Sequence, residues 1–104
     1  MVLYVRKYDI RPGKAEEFAE WAKSARDRMF AVPGIVELRV YRPATGNRQV
    51  AVTYEFADMN AWAAWQSNED IQKLGEEART YITNVSRELW GPSPIIPEPI
   101  RPGQ

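Results

Sequence analysis

The chain has 104 residues, 44% of them hydrophobic, with four Trp, five Tyr and three Phe, which suits one modest core and leaves no room for a second. Fourteen basic residues balance fourteen acidic ones, so no global field draws the chain to nucleic acid or to an anionic membrane. Cysteine and histidine are absent, which excludes disulfides, thiolate chemistry, the usual zinc sites and histidine-ligated haem, and leaves only carboxylates as metal ligands.

In chain order, Val2 to Ile10 is rich in β-branched and aromatic residues and closes on Arg11-Pro12-Gly13, a strand and a turn. Alternation does not assign Tyr4, Arg6 and Tyr8 to a face. Arg6 and Lys7 break any apolar run, so neither a signal peptide nor a membrane span is read there, and the expected compartment is the cytoplasm. A helix follows from about Lys14 to Phe30, its stripe formed by Ala15, Phe18, Ala22, Ala25 and Met29, with Trp21 on the flank. Val32-Pro33-Gly34 ends it. From Ile35 to Arg42, Val36, Leu38 and Val40 alternate with Glu37, Arg39 and Tyr41.

Pro43-Ala44-Thr45-Gly46-Asn47 suits a three-residue hairpin loop with Gly46 in the left-handed position. That loop predicts Val40 opposite Val50, Leu38 opposite Val52 and Val36 opposite Tyr54, gathering the apolar residues on one face. Glu37, Arg39, Tyr41, Ala51, Thr53 and Glu55 then share the reverse face, too apolar for full solvation.

The third strand, Val50 to Phe56, runs straight into an aromatic helix that Asp58 can cap and that carries Met59, Trp62, Ala63, Trp65 and Gln66. Ser67-Asn68 interrupts it, Glu69-Asp70 suits the first turn of a further helix, and Ile71, Leu74, Ala78, Ile82 and Val85 keep the helical period. Gly75 inside that pattern costs roughly 1 kcal/mol relative to alanine and marks close packing or a gap facing a ligand. Val85 to Trp90 reads as a fourth strand. Residues 1–91 thus form one domain, and 92–104 hold five of the eight prolines, a proline-rich C-terminal arm of polyproline type. Its Ile95, Ile96 and Ile100 anchor it on a partner subunit or belong to a disordered tail; both readings stand.

This order predicts an α+β, ferredoxin-like βαββαβ fold: a four-stranded antiparallel sheet with its helices on one face. The bare sheet face calls for a second copy, so a homodimer is expected. RNA-recognition domains share the strand order, but Arg48 to Tyr54 lacks their basic, glycine-containing aromatic pattern.

Arg11-Pro12-Gly13-Lys14 opening an acidic helix, Val32-Pro33-Gly34, and Tyr54-Glu55-Phe56-Ala57-Asp58 leading to Ala61-Trp62 and Trp65-Gln66-Ser67 resemble the dimeric α/β-barrel superfamily, and within it the antibiotic biosynthesis monooxygenase-like domains. The resemblance covers residues 2 to 90 and implies two sheets closing into a dimeric barrel, with a pocket in each subunit between sheet and helices. It implies a cofactor-independent monooxygenase-like protein acting on a small apolar or aromatic compound, in which the substrate's own enolate or phenolate reduces oxygen. The alternative is a non-catalytic small-molecule-binding or stress-associated homodimer. Haem-degrading members use a histidine that this chain lacks, and the tryptophan that often ends the third strand of oxygenase members is here Phe56.

Pocket walls implied by the resemblance come from Phe18, Trp21, Val52, Phe56, Trp62, Trp65 and Tyr81, although aromatics at helical spacing are more often plain core. Tyr54 is the strongest catalytic candidate, because a buried hydroxyl needs a partner. Arg39 with Glu55 or Glu37 can stabilise an anion or move a proton, against the plainer reading of an ion pair at the dimer interface.

Overall fold

Asp58 ends a strand and starts a helix, its Oδ1 accepting from the Ala61 amide at 2.8 Å. Around that joint the computed structural model, which describes residues 1–103, orders β1 (Val2–Ile10), α1 (Ala15–Ala31), β2 (Ile35–Tyr41), β3 (Val50–Phe56), α2 (Met59–Gln66), α3 (Glu69–Ala78) and β4 (Ile82–Trp90). The strands form one antiparallel sheet in the order β2-β3-β1-β4, a ferredoxin-like fold with the helices packed on one face. No helix among the described residues is long and apolar enough to cross a membrane.

Register turns the strands into a grid. Tyr4 lies opposite Tyr54 and Leu89, and Arg6 opposite Val52 and Arg87, so the even-numbered residues of β1 face the helices. Val2, Tyr4, Tyr8, Val52, Tyr54 and Phe56 form the sheet side of the core, and Ala25, Trp65, Ile71, Leu74 and Ala78 the helical side. The outer face carries Leu3, Val5, Arg39, Tyr41, Thr53, Glu55, Glu88 and Trp90.

Three sequence-based expectations are corrected. The β2–β3 hairpin pairs Val40 with Val52 and Leu38 with Tyr54, two residues from the predicted register. Its cause is non-local: Gln49 is tied to the end of β1, its amide donating to Asp9 Oδ1 at 2.9 Å and its Oε1 accepting from the Ile10 amide at 2.7 Å. Pairing with β2 therefore begins only at Ala51. A slip of two keeps each side chain on its face, so the apolar set survives. Second, a register shift between Ile35 and Glu37 sets Ile35 against Phe56 and leaves Val36 61% exposed. Gly34 makes the entry there at φ +138°, a conformation strained for any other residue, while the space beside it would admit a Cβ in ordinary contact with Phe56 and Trp65.

Third, Ile82 belongs to β4, not to the preceding helix, which ends at Ala78. Its helical spacing to Val85 comes from a bulge: the ladder shifts between Lys7 and Asp9, and Asn84 sits at φ 56°. Asn84 Nδ2 donates to Asp9 Oδ2 at 3.0 Å and its carbonyl accepts from Arg48 Nε at 2.7 Å, which holds the extra residue in place. From residue 91 to 103 the chain takes bends and turns without helix or strand, Ser93 Oγ accepting the Ile95 and Ile96 amides at 3.1 Å each, and the three isoleucines are exposed.

Helices α1 and α3 are latched by one carboxylate. Arg28 donates to both oxygens of Glu77 at 2.8 Å each, and Trp21 Nε1 adds a third bond at 2.9 Å. The Arg28 guanidinium, then the Trp21 indole, hold the Glu77 carboxyl down to about 2. A carboxyl depressed in the folded state stabilises above its unfolded value near 4.5 and loses that contribution as pH falls toward 2. Glu77→Gln should lower Tm at neutral pH by about 3–5 °C, and thermal melts of the two proteins should converge between pH 4.5 and pH 2.

Candidate active site

Two cross-strand rows define the helix-facing surface of the sheet: Leu38, Tyr54, Tyr4 and Leu89, and beside it Val40, Val52, Arg6 and Arg87. Arg6 is thus placed by β1 in the middle strands of the sheet, under the helices. Among the described residues no carboxylate forms an ion pair with it. Burial works against its charge, while the Tyr54 hydroxyl, by charge and hydrogen bonding, and then Tyr4 and Tyr8, raise its pKa above the ordinary value. Its guanidinium carbon lies 5.8 Å from the Tyr8 ring centroid. Tyr8 is pushed up to about 12, by burial first and by Tyr54 second, against the opposing pull of Arg6.

Arg6 forms part of the wall of a cavity of about 200 Å³ enclosed by Tyr8, Val52 and Tyr54 from the sheet and by Phe18, Trp21 and Met29 from α1. Its aromatic wall is continuous: Phe18 meets Tyr8 edge-on at 5.9 Å and Trp21 at 6.1 Å, and Tyr81 backs Trp21 at 5.5 Å. A cation with two tyrosines in the wall of an apolar space can orient an oxygenated ring and stabilise negative charge on it.

The expected site residues separate into groups. Phe18, Trp21, Val52 and Tyr54 line this cavity, and Tyr81 packs behind it. Trp65 and Tyr54 share a smaller space of about 60 Å³ with Arg6 and Gly75. Phe56, at 0% exposure, is sealed in the core against Trp65. Trp62 stands at the far side, next to Tyr4 and Leu89, its Nε1 buried without an acceptor among the described residues. Arg39 and Glu55 are on the outer sheet face, where Arg39 pairs with Glu37. Arg6 and Tyr8 are what sequence reasoning left unassigned; the signal that places them is the pairing of β1 with β3.

Helix α3 supplies the remaining wall. A Cβ on Gly75 would meet nothing within 4 Å, so this glycine faces open space rather than a tight contact, and it borders both the small space and a larger cleft beyond it.

The sequence matches the family described as antibiotic biosynthesis monooxygenase over residues 1–77. The chain belongs to that family. No curated protein sequence matches it. Among solved structures it is similar to SnoaB, a cofactor-independent oxygenase from Streptomyces nogalater, at 16% identity and a TM-score of 0.72, covering 93% of this chain and 97% of that one. It is also similar to a ferredoxin-like dabb family protein from Mesorhizobium loti (12% identity, TM-score 0.77, 88% and 96% covered). A third likeness is to a putative antibiotic biosynthesis monooxygenase from Nitrosomonas europaea (12% identity, TM-score 0.69, 88% and 97% covered). At these identities the likeness is one of fold.

Because Gly75 touches nothing, Gly75→Ala should raise stability by about 1 kcal/mol, read as a higher midpoint in urea denaturation with an unchanged slope.

Proposed function

We propose that the protein is a cytoplasmic, cofactor-independent monooxygenase-like enzyme that acts as a homodimer on a small apolar or aromatic carbon acid. The observation that carries this reading is the Arg6 guanidinium, without a carboxylate partner among the described residues, in the wall of an aromatic cavity. Arginine keeps its charge where a lysine or carboxylate would neutralise, so the cavity offers a fixed positive site. The chemistry that uses such a site is one that builds an anion on the substrate.

In this reading the substrate binds as its enolate or phenolate, the proton having gone to solvent, with the anionic oxygen toward Arg6 and Tyr54. The electron-rich carbon reduces dioxygen and forms a carbon–oxygen bond, giving a peroxide. The peroxide then takes up a proton, its O–O bond breaks as the carbon loses its remaining hydrogen, and the CH2 group becomes a ketone. One oxygen atom enters the product and the other leaves as water, with all four electrons supplied by the substrate. Tyr8, with its pKa near 12, stays protonated at neutral pH and serves as a donor rather than a base. Phe18 and Trp21 hold the ring and keep water away from the carbanion. SnoaB, with its similar fold, supports this class of reaction by analogy.

Homodimerisation follows from the outer sheet face. Tyr41 and Trp90 are about half exposed there, near the half-buried Leu3 and the buried Val5. Packing this face on its own copy buries it symmetrically. Native mass spectrometry should give twice the chain mass; a monomer at micromolar concentration would remove this part of the proposal.

The chemical test uses 1,8-dihydroxyanthrone as probe under oxygen-18 gas. One labelled atom is expected in the quinone, with kcat falling about 100-fold in Arg6→Gln and about tenfold in Tyr54→Phe. Quinone formation no faster than in buffer would overturn the enzymatic reading, and anthrone binding without turnover would establish a ligand-binding dimer instead.

A further inference from the structure

A second cleft, of about 310 Å³, opens on the other side of Arg6. Its walls carry three arginines, Arg6, Arg79 and Arg87, and one carboxylate, Glu76, so the charge on the lining is 3 − 1 = +2. None of the three arginines forms an ion pair with a described carboxylate, Glu76 included. Arg6 and Arg87 stand directly opposite each other on β1 and β4, an arrangement of like charges that costs stability wherever nothing lies between them.

Two further features bear on what the cleft holds. Gly75 borders it in mid-helix, where an alanine would be more stable and would clash with nothing. Ile71, Ile82 and Val85 add apolar surface to a lining that Gln66 and Gln72 otherwise make polar, a mixture suited to a charged group carried on hydrocarbon.

We propose that the substrate bears a carboxylate in addition to its reacting ring, and that Arg79 and Arg87 bind that carboxylate while the ring occupies the aromatic cavity across Arg6. The two spaces share Arg6 and Ile82 in their walls and so lie side by side, the adjacency that one amphiphilic molecule spanning both requires. Planar two-oxygen anions match the guanidinium fork, and the pairing places the ring in one orientation. This assignment rests on the reading of the aromatic cavity as the substrate site, and Arg79 and Arg87 act in it as specificity-determining residues.

The test compares anthraquinone-2-carboxylate with its neutral carboxamide, by tryptophan fluorescence titration of the full chain. The carboxylate should bind about 10- to 100-fold more tightly than the amide. That ratio should fall toward one in the Arg79→Gln, Arg87→Gln double variant, with amide affinity unchanged, while Arg87→Lys keeps part of it and the charge-matched surface variant Lys23→Gln keeps it all. Raising ionic strength should narrow the ratio in the parent protein and in Lys23→Gln, and leave it unmoved in the double variant. Thermal melts of each variant confirm that it is folded.

Equal affinities for the two probes in the parent protein would overturn the carboxylate assignment and leave the cavity reading standing. A preference that survives in the double variant would overturn the role of Arg79 and Arg87. Failure of both probes to bind would remove the cavity reading and this inference with it.

Discussion

Trp65 is the wedge on which the layers of this fold are set. Its ring lies 5.3 Å from Phe56, 5.6 Å from Tyr54 and 6.4 Å from Tyr4, all centroid to centroid and all from the sheet, while its Nε1 reaches the carbonyl of Met29 at the end of α1 at 3.5 Å. One buried side chain thus fixes α2 against β1 and β3 and brings the last turn of α1 to the same place. The chain enters β2 beside Phe56 and Trp65 with a backbone φ of +138°, which is why the position is Gly34. A second aromatic cluster, Tyr8, Phe18, Trp21 and Tyr81, stands apart from this one and walls the cavity around Arg6.

Arg6 gives the cavity its character. A neutral residue at that register would leave a plain hydrophobic gap, and a paired cation would be electrically silent. Tyr54 favours the charged guanidinium without cancelling its charge. The Glu77 latch between α1 and α3 keeps those helices over it, and its carboxylate is committed to Arg28 and Trp21 rather than to Arg6.

Local patterns made most of the fold legible in the sequence. The alternation in Val50 to Phe56, the Asp58 cap and the stripe from Ala15 to Met29 each depend on neighbours within a few positions, and each forms as read. What was not legible depends on distant partners. The hairpin register turns on Gln49 meeting Asp9 and Ile10, some forty positions away, and the start of β4 turns on a bulge that imitates helical spacing. The site divided in the same way. Tyr54, Val52, Phe18 and Trp21 lie on elements whose apolar face is unambiguous, whereas both alternating sets of β1 mix apolar and charged residues. Only its pairing with β3 tells Arg6 from Lys7.

The Asn84 bulge has an evolutionary side. Ile82 and Arg87 are an odd number of residues apart, yet both face the helices, because the extra residue inverts the parity of the strand between them. Loss or gain of a single codon at that point would exchange everything β4 presents inward from residue 85 onward with everything it presents outward. The backbone ladder would remain usable throughout. A lineage carrying this domain can therefore rewrite the electrostatics of its ligand space in one genetic step, with no substitution in the wall itself.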